Sequence, residues 1–211
     1  MSIIAGKRGA TGPSVSFAGG ARRGRWGGDG IARSSDAHVS AESEGEDMGA
    51  SRMLFRDYRG SDFESMWQLD QECFPRGIAY SKSELRAFLS RKAIERIVVE
   101  REGRVVAFVL GWRRSRTEGH VITLDVTALA RRQGLGRRLM VGLERRFLAA
   151  GVQRLLLETA ATNTIAIGFY EHLGYRNVAE LRSYYGPGLH AWRMAKALDG
   201  SAPSLNTQTV P

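Results

Sequence analysis

Two glycines two residues apart, Gly134 and Gly136, lie between the arginine pairs Arg131, Arg132 and Arg137, Arg138 in the stretch ALARRQGLGRRLM. An apolar helical repeat starts directly behind them. A helix start exposes unpaired backbone N–H groups and the positive end of the helix dipole, and glycine removes the Cβ atoms that would hold an anion away. Guanidinium forks add charge-assisted hydrogen bonds of a geometry that suits a pyrophosphate. The stretch therefore reads as a phosphate cradle. It has neither the Lys-Ser or Lys-Thr of a P-loop nor the G-x-G-x-x-G spacing of a dinucleotide site, and the plain alternative is a glycine turn ahead of a solvated basic helix face. A second chemical feature is Glu158, the one carboxylate at the end of the otherwise apolar run VQRLLLETA. Desolvation there is expected to raise its pKa toward values useful in proton transfer; a strand end in solvent would leave it without a role.

The elements that must position these residues are legible from their patterns. Ser61 with Glu64, and Ser81 with Glu84, form capping boxes ahead of two helices that follow an opening strand. ERIVVEREGRVVAFVLGWRR is two β-branched runs joined at Glu102 and Gly103, a hairpin by pattern, and GHVITLDV is a third run that delivers the chain to the glycines. Behind them Leu135, Leu139, Leu143 and Phe147 repeat every four residues up to a stop at Gly151. VQRLLLETA suits a strand buried on both faces, and NTIAIGFYEHLG a helix capped by Asn163 and stopped at Gly174. Two strands, around 178–184 and 189–195, close the body. The fold expected from this order is a single α/β domain over 53–198 with a mixed sheet.

Composition bounds what the domain can be. The 211 residues suffice for one domain, and the net charge of +9 makes anionic partners expected without choosing among them. One cysteine, Cys73, and four scattered histidines argue against a disulfide framework and against a bound metal. No apolar run approaches membrane-spanning length and no export signal is evident, so the expectation is a cytoplasmic protein without a membrane partner. Residues 1–52 are rich in glycine, serine and charge without apolar periodicity, and are expected to be a disordered tail, with 199–211 a second loose one. The first tail is a poor RNA-binding arm, because seven Lys and Arg face six Asp and Glu through Arg52. The pattern favours neither a monomer nor a homodimer.

Taken together, RRQGLGRRL, then LLLETAATNTIAIGFYEHLGY, then LRSYYGPGLHAWRM resemble the GNAT superfamily of N-acetyltransferases, and within it the RimI-type enzymes that acetylate the N-terminal alanine of a ribosomal protein. The resemblance covers most of 53–198 and is strongest from Leu124 onward. It implies a central mixed, mostly antiparallel sheet, splayed at one parallel strand pair and flanked by helices, with acetyl-CoA as the co-substrate. Leu124, Asp125 and Val126 would be the strand whose backbone pairs with the pantetheine arm. Arg131, Arg132, Gln133, Gly134, Leu135, Gly136 and Arg137 would hold the pyrophosphate, and Asn163 would contact the cofactor at the next helix. Glu158 matches the proton acceptor, acting directly or through water, and Tyr170 matches the tyrosine that protonates the departing sulfur; a packed core tyrosine is the other reading of Tyr170. Tyr184 and Tyr185 in SYYGPG, with Phe74 and Pro75 in CFPRGIAYS, would grip a peptide N-terminus, although a Phe-Pro pair also ends helices and plugs cores. His120 and His172 read as structural.

Acetyl transfer to an amine needs a neutral amine, a donor for the developing oxyanion and a proton for the departing thiolate. An α-amine of pKa about 8 is roughly one-tenth neutral at pH 7, whereas a lysine near 10.4 is neutral in about one of several thousand molecules. The expected acceptor is therefore a protein N-terminus, with a ribosomal protein as the nearest example; lysine side chains or a small amine are the alternative. Two departures stand out. RimI-like chains commonly carry an acidic pair after the double tyrosine where Leu189 and His190 stand here, and TALA lacks the usual proline before the glycines. The first bears on peptide choice, the second only on the approach to the cradle. A basic nucleic-acid-binding module would show a long arginine stripe with interleaved aromatics, whereas the arginines here gather at one helix start, which argues against direct nucleic-acid binding. An inactive acyl-CoA sensor would bind without turnover.

Overall fold

The computed structural model describes residues 53–75 and 77–198. The tails expected over 1–52 and 199–211, and the loop residue Arg76, lie outside the described residues. Seven strands form one sheet in the order β1-β2-β3-β4-β5-β7-β6. They are β1 (Leu54–Asp57), β2 (Ile94–Arg101), β3 (Arg104–Arg113), β4 (Glu118–Val126), β5 (Arg154–Ala160), β6 (Arg176–Gly186) and β7 (Leu189–Ala197), with helices α1 (Phe63–Cys73), α2 (Lys82–Leu89), α3 (Leu135–Ala149) and α4 (Thr164–His172). Every neighbouring pair is antiparallel except β4 with β5. This is the single mixed α/β sheet expected from the sequence.

Local chemistry explains the elements. The β2–β3 turn places both Glu102 and Gly103 at positive φ, 51° and 74°, the turn whose twist matches two antiparallel strands. Ser81 caps α2 in the expected box, its hydroxyl accepting from the Glu84 N–H while the Glu84 carboxylate reaches back to the Ser81 N–H at 2.8 Å. The box at Ser61 does not form. The start of α1 is organised instead by Asp62, which accepts from the Arg59 N–H at 2.7 Å and pairs with Arg56, while Glu64 turns outward to Lys82 at 2.7 Å. The ion pair with Arg56 wins because it satisfies a half-enclosed guanidinium that also holds Glu100.

The sheet has a core on each face. On one, Leu135, Leu139, Leu143 and Phe147 of α3 cover Val109, Val121 and Leu155. On the other, α1 and α2 bury Met66, Leu85 and Phe88 against Val98, Phe108 and Ile122. Each such side chain contributes about 1.5–3 kcal/mol. Gly119 lets α3 sit close, since a Cβ there would fall 2.6 Å from a Leu155 methyl and 3.2 Å from the Phe147 ring.

One irregularity shapes the site. Leu110 of β3 faces Thr123 while the next residue, Gly111, faces Val121, so Ile122 is an extra residue on β4. Such a bulge bends its strand. The parallel pairing of β4 with β5 accordingly consists of three pairs, Glu118 with Arg154, Gly119 with Leu155 and His120 with Leu156, and it ends just before the bulge. Beyond that point the two strands diverge.

Candidate active site

On the α3 side of the divergence the chain leaves β4 at Val126, makes a short 3-10 turn over Ala128–Ala130 and enters α3 through Arg131–Gly134. Arg132 and Gly134 both have positive φ, 61° and 74°, and no side chain caps α3. Gly134 tolerates this backbone without the Cβ strain other residues meet. A Cβ built on Gly134 would meet no other atom, so the ground in front of the helix start is open. A pocket of about 540 Å³ lies there, lined by Val126, Ala130, Gly134, Gly136, Arg137 and Phe169 among others. Arg132, Gln133 and Arg137 are exposed around it. Arg131 is half-buried, with its Nε donating to the Val126 carbonyl at 3.1 Å, and Arg138 turns away to lie 3.9 Å over the Phe55 ring. Uncapped N–H groups, glycine and outward arginines are a donor set that suits a phosphorylated carrier such as coenzyme A.

Leu124 and Leu135 are core residues beneath this pocket. Asp125 is buried with its Oδ1 accepting from the Thr123 hydroxyl at 3.1 Å, while Oδ2 has no partner. Burial, with Asp70 nearby, pushes its pKa well above the ordinary carboxylate value. Asn163 is engaged as the α4 cap, its Oδ1 accepting from the Ala166 N–H at 3.1 Å. Tyr170 is fully buried, its ring 5.1 Å from Phe169 and 5.7 Å from Tyr175, and its hydroxyl has no partner. Burial raises its pKa, with smaller contributions from Tyr185 and Asp125. The ring is packed in the α3-side core, with the hydroxyl close enough to Tyr185 and Asp125 to feel their charge.

The opposite side holds a cluster that no local pattern announces. Glu158 is 2% exposed, and its Oε2 lies 2.6 Å from His120 Nε2 and accepts from the Tyr184 hydroxyl at 3.3 Å, while its Oε1 accepts from Arg193 Nε at 2.8 Å. Arg193 faces Glu158 directly across the β5–β7 ladder. The expected upward shift of Glu158 is corrected: burial alone would raise its pKa, but the His120 hydrogen bond and charge, then those of Arg193, outweigh it and hold it below its ordinary value. The histidine read as structural, His120, is thereby part of the cluster. An ionised carboxylate only accepts, so His120 Nε2 carries the shared hydrogen, and Nδ1, which is buried, has no partner among the described residues. His172 does stay structural, its Nδ1 lying 2.6 Å from the Gly168 carbonyl one turn earlier.

Of the expected peptide-gripping residues, Tyr184 touches Glu158 and stacks edge-on against Tyr185 at 4.9 Å. Tyr185 is buried with an unpartnered hydroxyl. Phe74 is corrected from a wall to a plug, because it is buried in the α1/α2 core just past the end of α1. Pro75 is exposed, and its carbonyl accepts from the Ile78 and Ala79 N–H groups. The one sequence signal for the missed residues was a lone arginine in the alternating run AWRMA, whose partner lies 35 residues away. Among the described residues no group of His, Cys, Asp or Glu could hold a metal, and no helix is long and apolar enough to cross a membrane.

Comparison with known proteins agrees with this geometry. The profile of the acetyltransferase (GNAT) family matches residues 63–175. An uncharacterised N-acetyltransferase of Methanocaldococcus jannaschii is 31% identical over 148 residues, 68% of this chain and 91% of the relative. A [ribosomal protein bS18]-alanine N-acetyltransferase of Salmonella typhimurium is 29% identical over 126 residues, 59% of this chain and 82% of that one. Among solved structures, Ard1 of Thermoplasma volcanium superposes with a TM-score of 0.64 at 25% identity, covering 69% of this chain and 97% of its own.

Proposed function

The chain belongs to the GNAT acetyltransferase family, and on that premise we propose that it acetylates the α-amino group of a protein N-terminus, as the RimI-type ribosomal-protein enzymes among its relatives do. The observation that carries this reading is the placement of two unlike features on either side of the β4–β5 divergence: the pocket at the uncapped start of α3 on one side, and the Glu158, His120, Arg193 and Tyr184 cluster on the other. A carrier bound on one side and an amine on the other would meet in the gap. Acetyl-CoA supplies an activated acetyl thioester. The first-turn N–H groups of α3, with Arg132 and Arg137, would hold its phosphates, and the edge of Leu124–Val126 left unpaired by β5 would be open to the rest of the carrier.

The chain's own residues manage the protons. Glu158, held by His120, Arg193 and Tyr184, stands in the proton-accepting position, and His120 fixes the orientation of its carboxylate through Nε2. An acceptor held this low in pKa works best on an amine that is already partly neutral, which favours α-amines over lysines. Tyr170, whose raised pKa keeps its hydroxyl protonated, stands as the proton donor to the departing sulfur. Tyr184 and Tyr185 position the incoming peptide. The domain spans 53–198 in this reading and works in the cytoplasm. The test is a CoA-release assay with a free Ala-start peptide, its N-blocked twin carrying an internal lysine, and spermidine. Turnover on the free N-terminus is expected, and turnover confined to the other two refutes the α-amine reading.

A further inference from the structure

Arg193 is the member of the Glu158 cluster that faces outward. Its side chain is 36% exposed whereas that of Glu158 is 2% exposed. Only Nε is engaged, at 2.8 Å from Glu158 Oε1, and the two terminal nitrogens have no partner among the described residues. A guanidinium is a planar fork with five donors and can serve two carboxylates on different edges at once. The open edge of this fork therefore sits one side chain away from the carboxylate proposed to receive the acceptor's amine. The two residues that join β6 to β7, Pro187 and Gly188, add no carboxylate.

Charge matching then selects the acceptor. An amine arriving as an ammonium beside Glu158 places a positive charge next to Arg193, and the two repel. An acceptor that also carries a carboxylate a few bonds from its amine presents the complementary arrangement, ammonium to Glu158 and carboxylate to Arg193, and no charge in the cluster is left unmatched. Because Arg193 is already solvated, engaging it does not require a buried charge to be uncovered first.

Building on the N-terminal acetyltransferase reading, we propose that Arg193 recognises a carboxylate carried close to the reacting amine, so that the preferred N-termini bear Asp or Glu within their first two residues. A bidentate arginine–carboxylate contact of this kind is expected to give about ten- to a hundredfold in kcat/KM.

The experiment compares kcat/KM, at saturating acetyl-CoA, for peptides that start Ala-Asp, Ala-Ala and Ala-Lys and are otherwise identical, together with free alanine, for the wild type, Arg193→Lys and Arg193→Gln. The proposal expects Ala-Asp over Ala-Ala over Ala-Lys in the wild type, a preference that Arg193→Lys keeps in part and Arg193→Gln removes. Since Arg193 also contacts Glu158, the glutamine variant is expected to slow every peptide; the ratio between peptides is the reading, and a merely structural role would leave that ratio unchanged. Equal rates on the three peptides, or a ratio untouched by Arg193→Gln, overturn the proposal while leaving N-terminal acetylation standing. Should Arg193→Gln fail to fold, the wild-type ranking and its weakening in Arg193→Lys decide. Turnover of free alanine with none of any peptide would instead keep Arg193 as a carboxylate reader and overturn the N-terminal reading on which the proposal rests.

Discussion

Replacing Glu158 with glutamine keeps the shape of the side chain and removes one charge and one acceptor. In the native cluster Oε2 lies 2.6 Å from His120 Nε2 and Oε1 lies 2.8 Å from Arg193 Nε. An amide has a single oxygen, so it retains one of these bonds and turns its own N–H groups toward the other donor. Losing a charge-assisted bond at a buried site costs about 2 kcal/mol, which a fold of this size registers as a Tm lower by roughly 4–8 °C. If Glu158 takes part in proton acceptance, kcat falls about 10²- to 10⁴-fold as well. The pocket for acetyl-CoA contains none of these residues, so calorimetry should find its affinity unchanged. The pH dependence has a definite sign. Because the folded pKa of Glu158 is depressed, its stabilisation is complete above the unfolded value of about 4.3 and is lost as pH falls through the folded one. The Tm gap between wild type and variant should therefore narrow in acid. A variant with lowered Tm but wild-type kcat in the CoA-release assay would show that Glu158 is only a structural ion-pair partner, and would refute the assignment.

Gly134→Asp places a carboxylate and a Cβ at a positive-φ position facing the pocket, and should abolish acetyl-CoA binding in calorimetry while the protein stays folded by circular dichroism. Gly119→Ala drives a methyl to 2.6 Å from Leu155 under α3 and should cost about 1–3 kcal/mol in urea unfolding, with acetyl-CoA affinity retained. Asp125→Asn should stabilise the fold at neutral pH. The native carboxyl, raised in pKa by burial, must hold a proton that the unfolded chain has released, so its penalty grows as pH rises above the ordinary value of about 3.9; the variant's advantage should vanish below that pH in a Tm series.

The parts legible in the sequence are those with local causes. The glycine-bounded start of α3, its four-residue repeat, the Asn163 cap and the β2–β3 turn each depend on residues within one or two turns of each other, and each is found where the pattern places it. The Ser61 box failed because a distant arginine on β1 claimed Asp62 and reset the start of α1. The contact of Glu158 with His120 and Arg193 could not be read, although Glu158 itself stood out. Its members sit on β4, β5 and β7 and are separated by 38 and 35 residues, and their meeting depends on β7 inserting between β5 and β6. The same contacts, His120 first and then Arg193, reversed the expected pKa shift of Glu158. Burial could be inferred from the apolar run around it, but the two donors that outweigh burial could not.

The short parallel ladder has a mechanical meaning. Strands β1 to β4 form one plate and β5, β7 and β6 another, and their edges are joined by the pairing of Glu118–His120 with Arg154–Leu156 and by the Gln153 and Arg154 N–H groups donating to the Thr117 carbonyl. Three residue pairs at one end make a pivot, and the open end gives anything seated between the plates a long lever arm. The helix start that borders the pocket follows the first plate, whereas Glu158 and Arg193 ride on the second. His120 is the last paired residue of β4, so its bond to Glu158 spans the pivot itself. The buried 2.6 Å contact is therefore a gauge of the angle between the two plates.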